Sequence, residues 1–258
     1  MHWVQSISVG IISVLVLACS SPTQPPGVVT PDFIVATGMN VIAVGNSTRF
    51  TVTAYTRDPS RDAYFRGVQQ AVDVSASASW ASDNPAIATV SSKNIVGRAA
   101  GVANVSAQYM GREYTIPVYV VVPSALAQQF AGTWSGGASR FCRDLIGETK
   151  SCLLGTQITE VSMSLTNVGG LLQGSIDIGG VSFEHVTGPI TGSINEDRDL
   201  VIGGVPGLSE HDYAEQLRDW RFTLSSAQLI GSGTGEVAFV NIYGPVWQRI
   251  TYTTITLH

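Results

Sequence analysis

Charge is scarce in this 258-residue chain: Lys and Arg total 14, Asp and Glu total 19, and together they make up 13% of the residues. Clustered Lys and Arg are missing, so the chain has no means of neutralising a run of phosphates, and nucleic acid is not an expected partner. Long apolar stripes at helical spacing are also missing. The β-branched residues fall instead in short alternating runs, which favours one or two all-β domains. A Gly-x-Ser-x-Gly elbow in a strand-turn-helix setting is absent, and Gly231-Ser232-Gly233 reads as a glycine-broken strand. Of the four histidines, His2 and His258 stand at the extremes of the chain. His185 follows Glu184 on a predicted strand, where neighbours face opposite sides. His211 lies in Ser209-Glu210-His211-Asp212, which reads as a helix start capped by Ser209. Three or four converging zinc ligands are therefore not expected. The cluster Glu196-Asp197-Arg198-Asp199 lacks calcium-loop spacing and reads as a hairpin tip. The expectation is a protein with no metal, no cofactor and no catalytic residue. A carboxylate pair assembled from two distant strands is the one chemistry left open.

What is present begins with an apolar run over residues 4–18, the length of a secretory h-region and short of a membrane span of about 20 residues. It ends in Val16-Leu17-Ala18-Cys19 and gives way to Ser20-Ser21-Pro22 and further prolines. The small residue before Cys19 resembles the lipobox of bacterial lipoproteins. That resemblance implies that residues 1–18 are a signal peptide, that Cys19 is diacylated, and that Ser20, not an Asp, sorts the protein to the outer membrane. The alternative is an ordinary signal peptide cut near Ala18. Residues 19–29 form a Pro- and Ser-rich, hydrogen-bond-poor tether. Three cysteines occur in all; Cys142 and Cys152 can pair in an oxidising compartment, and acylation of Cys19 removes the odd thiol. Closing that loop of about ten residues restricts the unfolded chain by roughly 3 kcal/mol.

Over residues 30–123, apolar residues fall at every second position. Phe50, Val52 and Ala54 share one face, as do Val74, Ala76, Ala78 and Trp80, then Gly101, Ala103, Val105 and Ala107, and finally Ile116, Val118, Val120 and Val122. Period-2 runs bounded by Gly, Pro, Asn and Asp mean antiparallel strands with one buried face, and about seven within roughly 100 residues match a β-sandwich. Trp80, Ser82-Asp83-Asn84-Pro85, Val96-Gly97 and Ala100-Gly101-Val102-Ala103-Asn104-Val105 are similar to the group 2 bacterial immunoglobulin-like repeat of intimin- and invasin-type surface proteins. Trp80 is expected to fill the space between two sheets, and Gly101 to permit a tight turn into a core strand. The segment from Arg57 to Gln70 is longer than a hairpin needs. Its Tyr64, Phe65 and Arg66 are residue types favoured at binding hot spots and form the candidate partner-binding loop.

Residues 124–258 carry the acidic excess, with seven Lys or Arg against thirteen Asp or Glu. A short helical turn over 124–130 precedes Ala131-Gly132-Thr133-Trp134. Strands are predicted at 160–167, 172–178, 182–191, 199–203, 220–225, 230–240 and 248–257. With the Trp134 strand these are enough to close an antiparallel barrel, the last strand pairing with the first; an open β-sandwich is the alternative. The helical turn and Gly-x-Trp resemble the opening of lipocalins and avidins. The resemblance implies that Gly132 and Trp134 plug one barrel end and that Arg249 packs on the indole.

The functional expectation is a non-enzymatic lipoprotein held to the bacterial outer membrane by its anchor. The immunoglobulin-like domain would be a spacer or adhesion module presenting the C-terminal domain to an envelope or surface protein or a glycan. The alternatives are a carrier of a small lipophilic ligand and, last, a cell-envelope hydrolase.

Overall fold

The computed structural model describes residues 30–56, 70–146, 157–180, 183–207, 214–241 and 244–258. Ten strands come first: β1 (Phe33–Thr37), β2 (Val41–Ala43), β3 (Ser47–Arg49), β4 (Thr51–Thr56), β5 (Gln70–Asp73), β6 (Ser79–Ser82), β7 (Ala88–Ser91), β8 (Asn94–Gly97), β9 (Gly101–Tyr109) and β10 (Arg112–Val121). They form three sheets, in the orders β1-β4-β5, β2-β10-β9-β6 and β3-β8-β7. All pairs are antiparallel except β2 with β10. The predicted alternation holds where both neighbours are strands. Phe50, Val52 and Ala54 are buried, as are Ala103, Val105, Ala107, Ile116, Val118 and Val120. Gly101 has φ +143 and a Cβ there would lie 2.6 Å from Ile87, so only glycine fits this turn.

Two expectations for this region fail, each for a local reason. Residues 74–80 are not one strand. The Asp73 carboxylate accepts from the Ser75 amide and hydroxyl, and Ser77 and Ala78 donate to the Val74 carbonyl, so the chain turns and Ala76 faces solvent. Side chains that bond their own backbone compete with the ladder in this way. Trp80, on the edge strand β6, is half-buried and packs as expected on the core between the sheets, edge-on to Phe50 at 6.4 Å. Val122 lies beyond the end of β10 and is exposed.

A 3-10 helix, Ala125–Phe130, leads into β11 (Gly132–Ile146), β12 (Gln157–Val168), β13 (Leu171–Gly180), β14 (Phe183–Ile194), β15 (Leu200–Gly204), β16 (Ala214–Ser225), β17 (Gln228–Asn241) and β18 (Gly244–Leu257). These eight strands form a closed antiparallel barrel in chain order, sealed by β11 against β18, with Gly136 opposite Leu257 and Arg140 opposite Tyr252. The open sandwich is thereby excluded, and closure leaves no free sheet edge. The acidic segment is a hairpin tip, as expected: the Asn195 amide donates to the Asp199 carbonyl, and the Asn195 side chain accepts from the Asp199 amide.

The barrel has two unlike ends. At one, which we call the plug end, lie the short β12-β13, β14-β15 and β16-β17 connections and the 3-10 helix. At the other, the loop end, the strands connect through residues 147–156, 181–182, 208–213 and 242–243, outside the described residues. The first unit packs along the barrel wall formed by β14 to β18. Ala238 and Trp247 join its apolar core, with Trp247 stacked on Phe33 at 5.9 Å and tilted against Tyr114 at 5.4 Å. Gly203 lets β2 approach closely: a Cβ there would lie 2.1 Å from Asn40 Oδ1.

Candidate functional site

The barrel interior is the site to be understood, because its contents decide what the barrel can hold. On β17, Gly231, Gly233 and Gly235 point inward, and the space a Cβ would take is occupied from β16. The distances would be 2.6 Å to Phe222, 2.5 Å to Trp220 and 1.9 Å to Glu215, respectively. The strand is therefore continuous and thinned on its inner face, not broken. Trp220, Phe222 and Tyr252 are fully buried, with Trp220 tilted 4.8 Å from Tyr252 and 6.0 Å from Phe222. Met163, Leu172, Ile176, Leu229, Ile255 and Leu257 continue this core.

Gly132 and Trp134 stand at the plug end. Gly132 has φ +145, a conformation only glycine adopts readily. The Trp134 Nε1 donates to the Phe130 carbonyl at 2.9 Å, and the indole packs on the barrel core beside buried Ala127 and Phe130. Arg249 is not brought to it. Trp134 lies opposite Met163, whereas Arg249 lies opposite Arg143, nine residues further along β11 or about 30 Å. Arg249 points outward and pairs with Glu236 at 2.6 Å.

Toward the loop end the interior turns polar. Glu215 is wholly buried, and the Tyr252 hydroxyl lies 2.9 and 3.0 Å from its two oxygens, one O–H shared between them. Burial pushes the Glu215 carboxyl up to about 7, against the pull of Arg140 and the Tyr252 hydrogen bond. Buried Gln248 and Thr159 lie on the same inner surface. Chemically the group can hold and exchange one proton near neutrality. Sequence reading missed Glu215 because β16 carries an extra residue between Leu217 and Arg221. This bulge shifts the inward set from Glu215 and Leu217 to Trp220 and Phe222, so no single period-2 pattern marks it.

A second polar cluster ties the barrel wall to the first unit. Glu236, fully buried, lies 2.7 Å from Arg218 and 2.6 Å from Arg249. Arg218 also donates to the Thr115 carbonyl at 2.9 Å and sits over the Tyr114 ring at 5.7 Å. Burial opposes the Arg218 charge, but Tyr114 and Glu236 outweigh it and raise its pKa. Burial, with Glu236 beside it, pushes the Tyr114 phenol well up. Gln216 accepts from the Gly38 amide at 2.7 Å and donates to Asn40 at 3.3 Å. Tyr119 donates to Asp219, and burial followed by that bond pushes its phenol up to about 12.

The remaining expected residues divide between the described and the undescribed. Cys142 is disulfide-bonded, while Cys152 lies outside the described residues, as do Cys19, the Tyr64-Phe65-Arg66 loop and the Ser209–Asp212 segment. His185 projects from the outer wall, 2.9 Å from Asp177, beside a groove of about 330 Å3 lined also by Ser135, Glu160 and Ser162. Among the described residues no three His, Cys, Asp or Glu side chains are grouped to hold a metal. No protein-family model matches the chain, and no curated protein matches it.

Proposed function

We propose that this is a lipid-anchored bacterial envelope protein, tethered through Cys19 to the outer membrane, that uses its barrel as a rigid recognition body for an envelope protein or glycan. The N-terminal unit, read as a group 2 bacterial immunoglobulin-like domain, is its fixed mount. The observation that carries this reading over a carrier is the close packing among the described inward residues, in which Phe222, Trp220 and Glu215 take the space left by the β17 glycines and Tyr252 packs on Trp220. Lipocalin-type carriage needs a cavity of several hundred Å3 with apolar walls. The buried contacts of Glu236, Gln216 and Trp247 support a mount and not a swinging spacer. Carriage of a small lipophilic ligand is the second reading, favoured by the Gly132-Trp134 plug at one end only.

Titrating the full chain with a lipophilic fluorescent probe tests the choice. The proposal expects the probe to stay dark; saturable one-to-one brightening would favour the carrier. For the anchor, Cys19→Ala must move the protein from the membrane fraction to the soluble one.

A further inference from the structure

The first unit covers β14 to β18, while Ser135, Glu160 and Ser175 on β11, β12 and β13 are exposed. On this free arc of wall Glu160 stands between two residues without side chains, opposite Gly137 on one strand and Gly179 on the other. The next rung, Ser135-Ser162-Asp177, borders the depression. The His185 ring lies on the Gly179 backbone, where a Cβ would come within 2.5 Å of it, and its Nδ1 meets Asp177 at 2.9 Å. Together these residues frame the groove of about 330 Å3. Apolar surface continues it. Ile158, two residues before Glu160 on the same face, is 82% exposed, and Phe141, two residues beyond its partner Ser139, is 50% exposed. From Phe141 to Ser135 the strip runs about 20 Å along the strand.

What the strip holds and lacks narrows its ligand. Over residues 133–141, 158–168 and 171–179 no Lys or Arg faces outward among the described residues, since Arg140 shares the inward parity of buried Ala138. Two carboxylates with no such cation beside them repel anions, which excludes a phosphate, a sulfate or an acidic sugar. Trp, Tyr and Arg, the anchors of protein hot spots, are missing from the same outward set. The closed barrel offers a peptide no strand edge to extend. We propose that this strip binds a neutral oligosaccharide lying along β11 and β12, a reading that rests on the barrel being a recognition body. Sugar hydroxyls pair with Glu160, the serines and His185 Nε2. The C–H faces of the rings lie on Phe141 and Ile158, so that apolar surface supplies contact and a few polar groups fix orientation.

The test is saturation-transfer NMR of the full-length protein with maltotetraose, cellotetraose and N-acetylated chitotetraose, and with tetralysine as the basic comparison. The expected result is transfer to the ring C–H protons of at least one tetrasaccharide and none to tetralysine. Glu160→Ala removes a charged hydrogen-bond partner and should weaken that sugar about tenfold, and Phe141→Ala should weaken it as well. Both positions are exposed, so thermal unfolding should not move. A sugar signal that both variants retain overturns the site. Transfer to tetralysine in place of the sugars assigns the wall to a basic partner and overturns the glycan. Silence from all three sugars while the lipophilic probe stays dark overturns the glycan and leaves the recognition body standing; silence with a brightened probe overturns both.

Discussion

Two buried glutamates stand almost side by side on the barrel wall, one facing in and one facing out. Glu215 lies opposite Val237 and Gln216 lies opposite Glu236, so the two carboxyls belong to adjacent rungs of the β16-β17 ladder. Both are essentially without solvent. Their neighbours differ. Glu236 touches two guanidiniums in the interface between the units; Glu215 receives a phenol hydrogen bond from Tyr252 and feels the charge of Arg140. Burial alone does not say what a carboxyl is for. The outward one is a clasp between two folded bodies, and the inward one is a proton-holding group among closely packed inward side chains.

The comparison can be broken from the outward side first. Replacing Glu236 with Ala leaves Arg218 and Arg249 facing each other in the interface without their carboxylate. Removing one partner of a buried pair costs about 3–5 kcal/mol. Urea unfolding at pH 7 should show a loss of that size.

The inward side gives a pH-dependent effect of opposite sign. The folded pKa of Glu215, about 7, lies above the ordinary 4.5. The folded state therefore binds the proton more tightly, and ionisation penalises it: the penalty is absent below about 4.5, grows as pH rises, and is complete above 7. Glu215→Gln removes that penalty. It should stabilise the protein by about 3 kcal/mol at pH 8 and by almost nothing at pH 4.5. A gain that does not vary with pH would contradict the assignment.

Smaller effects sharpen the contrast. Gly233→Ala forces a methyl against the Trp220 ring and should cost about 1–3 kcal/mol by overpacking, whichever state Glu215 is in. Tyr252→Phe deletes one hydrogen bond that favours the Glu215 charge. It should lower stability by about 1 kcal/mol and move the carboxyl titration to higher pH, read by carbon NMR of the side chain.

Much of the barrel was legible because its strands obey one rule: a buried inner face, a wet outer face and a short turn. The pairing of the last strand, Tyr252 to Leu257, with the first and the hairpin tip at Glu196 to Asp199 follow from it. What was hidden has three physical causes. The β16 bulge reverses parity and conceals Glu215. A glycine in a strand looks like a break when read alone, yet Gly231, Gly233 and Gly235 are spaces fitted to residues nine or more positions away. Finally, the wall carrying Gln216, Arg218, Glu236 and Trp247 is neither polar-out nor apolar-in, because it is covered by another part of the chain, and nothing local in a sequence announces that cover. Arg249 shows the same blindness: a cation near the last strand suggested a partner at the plug end, but register takes it to Glu236.

The most direct test of the account is the occupancy of the barrel in the protein as cells make it. Native mass spectrometry of the full-length protein extracted from the envelope should give the mass of the acylated chain alone, before and after incubation with envelope lipid extract. A stoichiometric added mass that survives gentle desolvation and disappears on mild unfolding would contradict the filled barrel and return the molecule to the carriers.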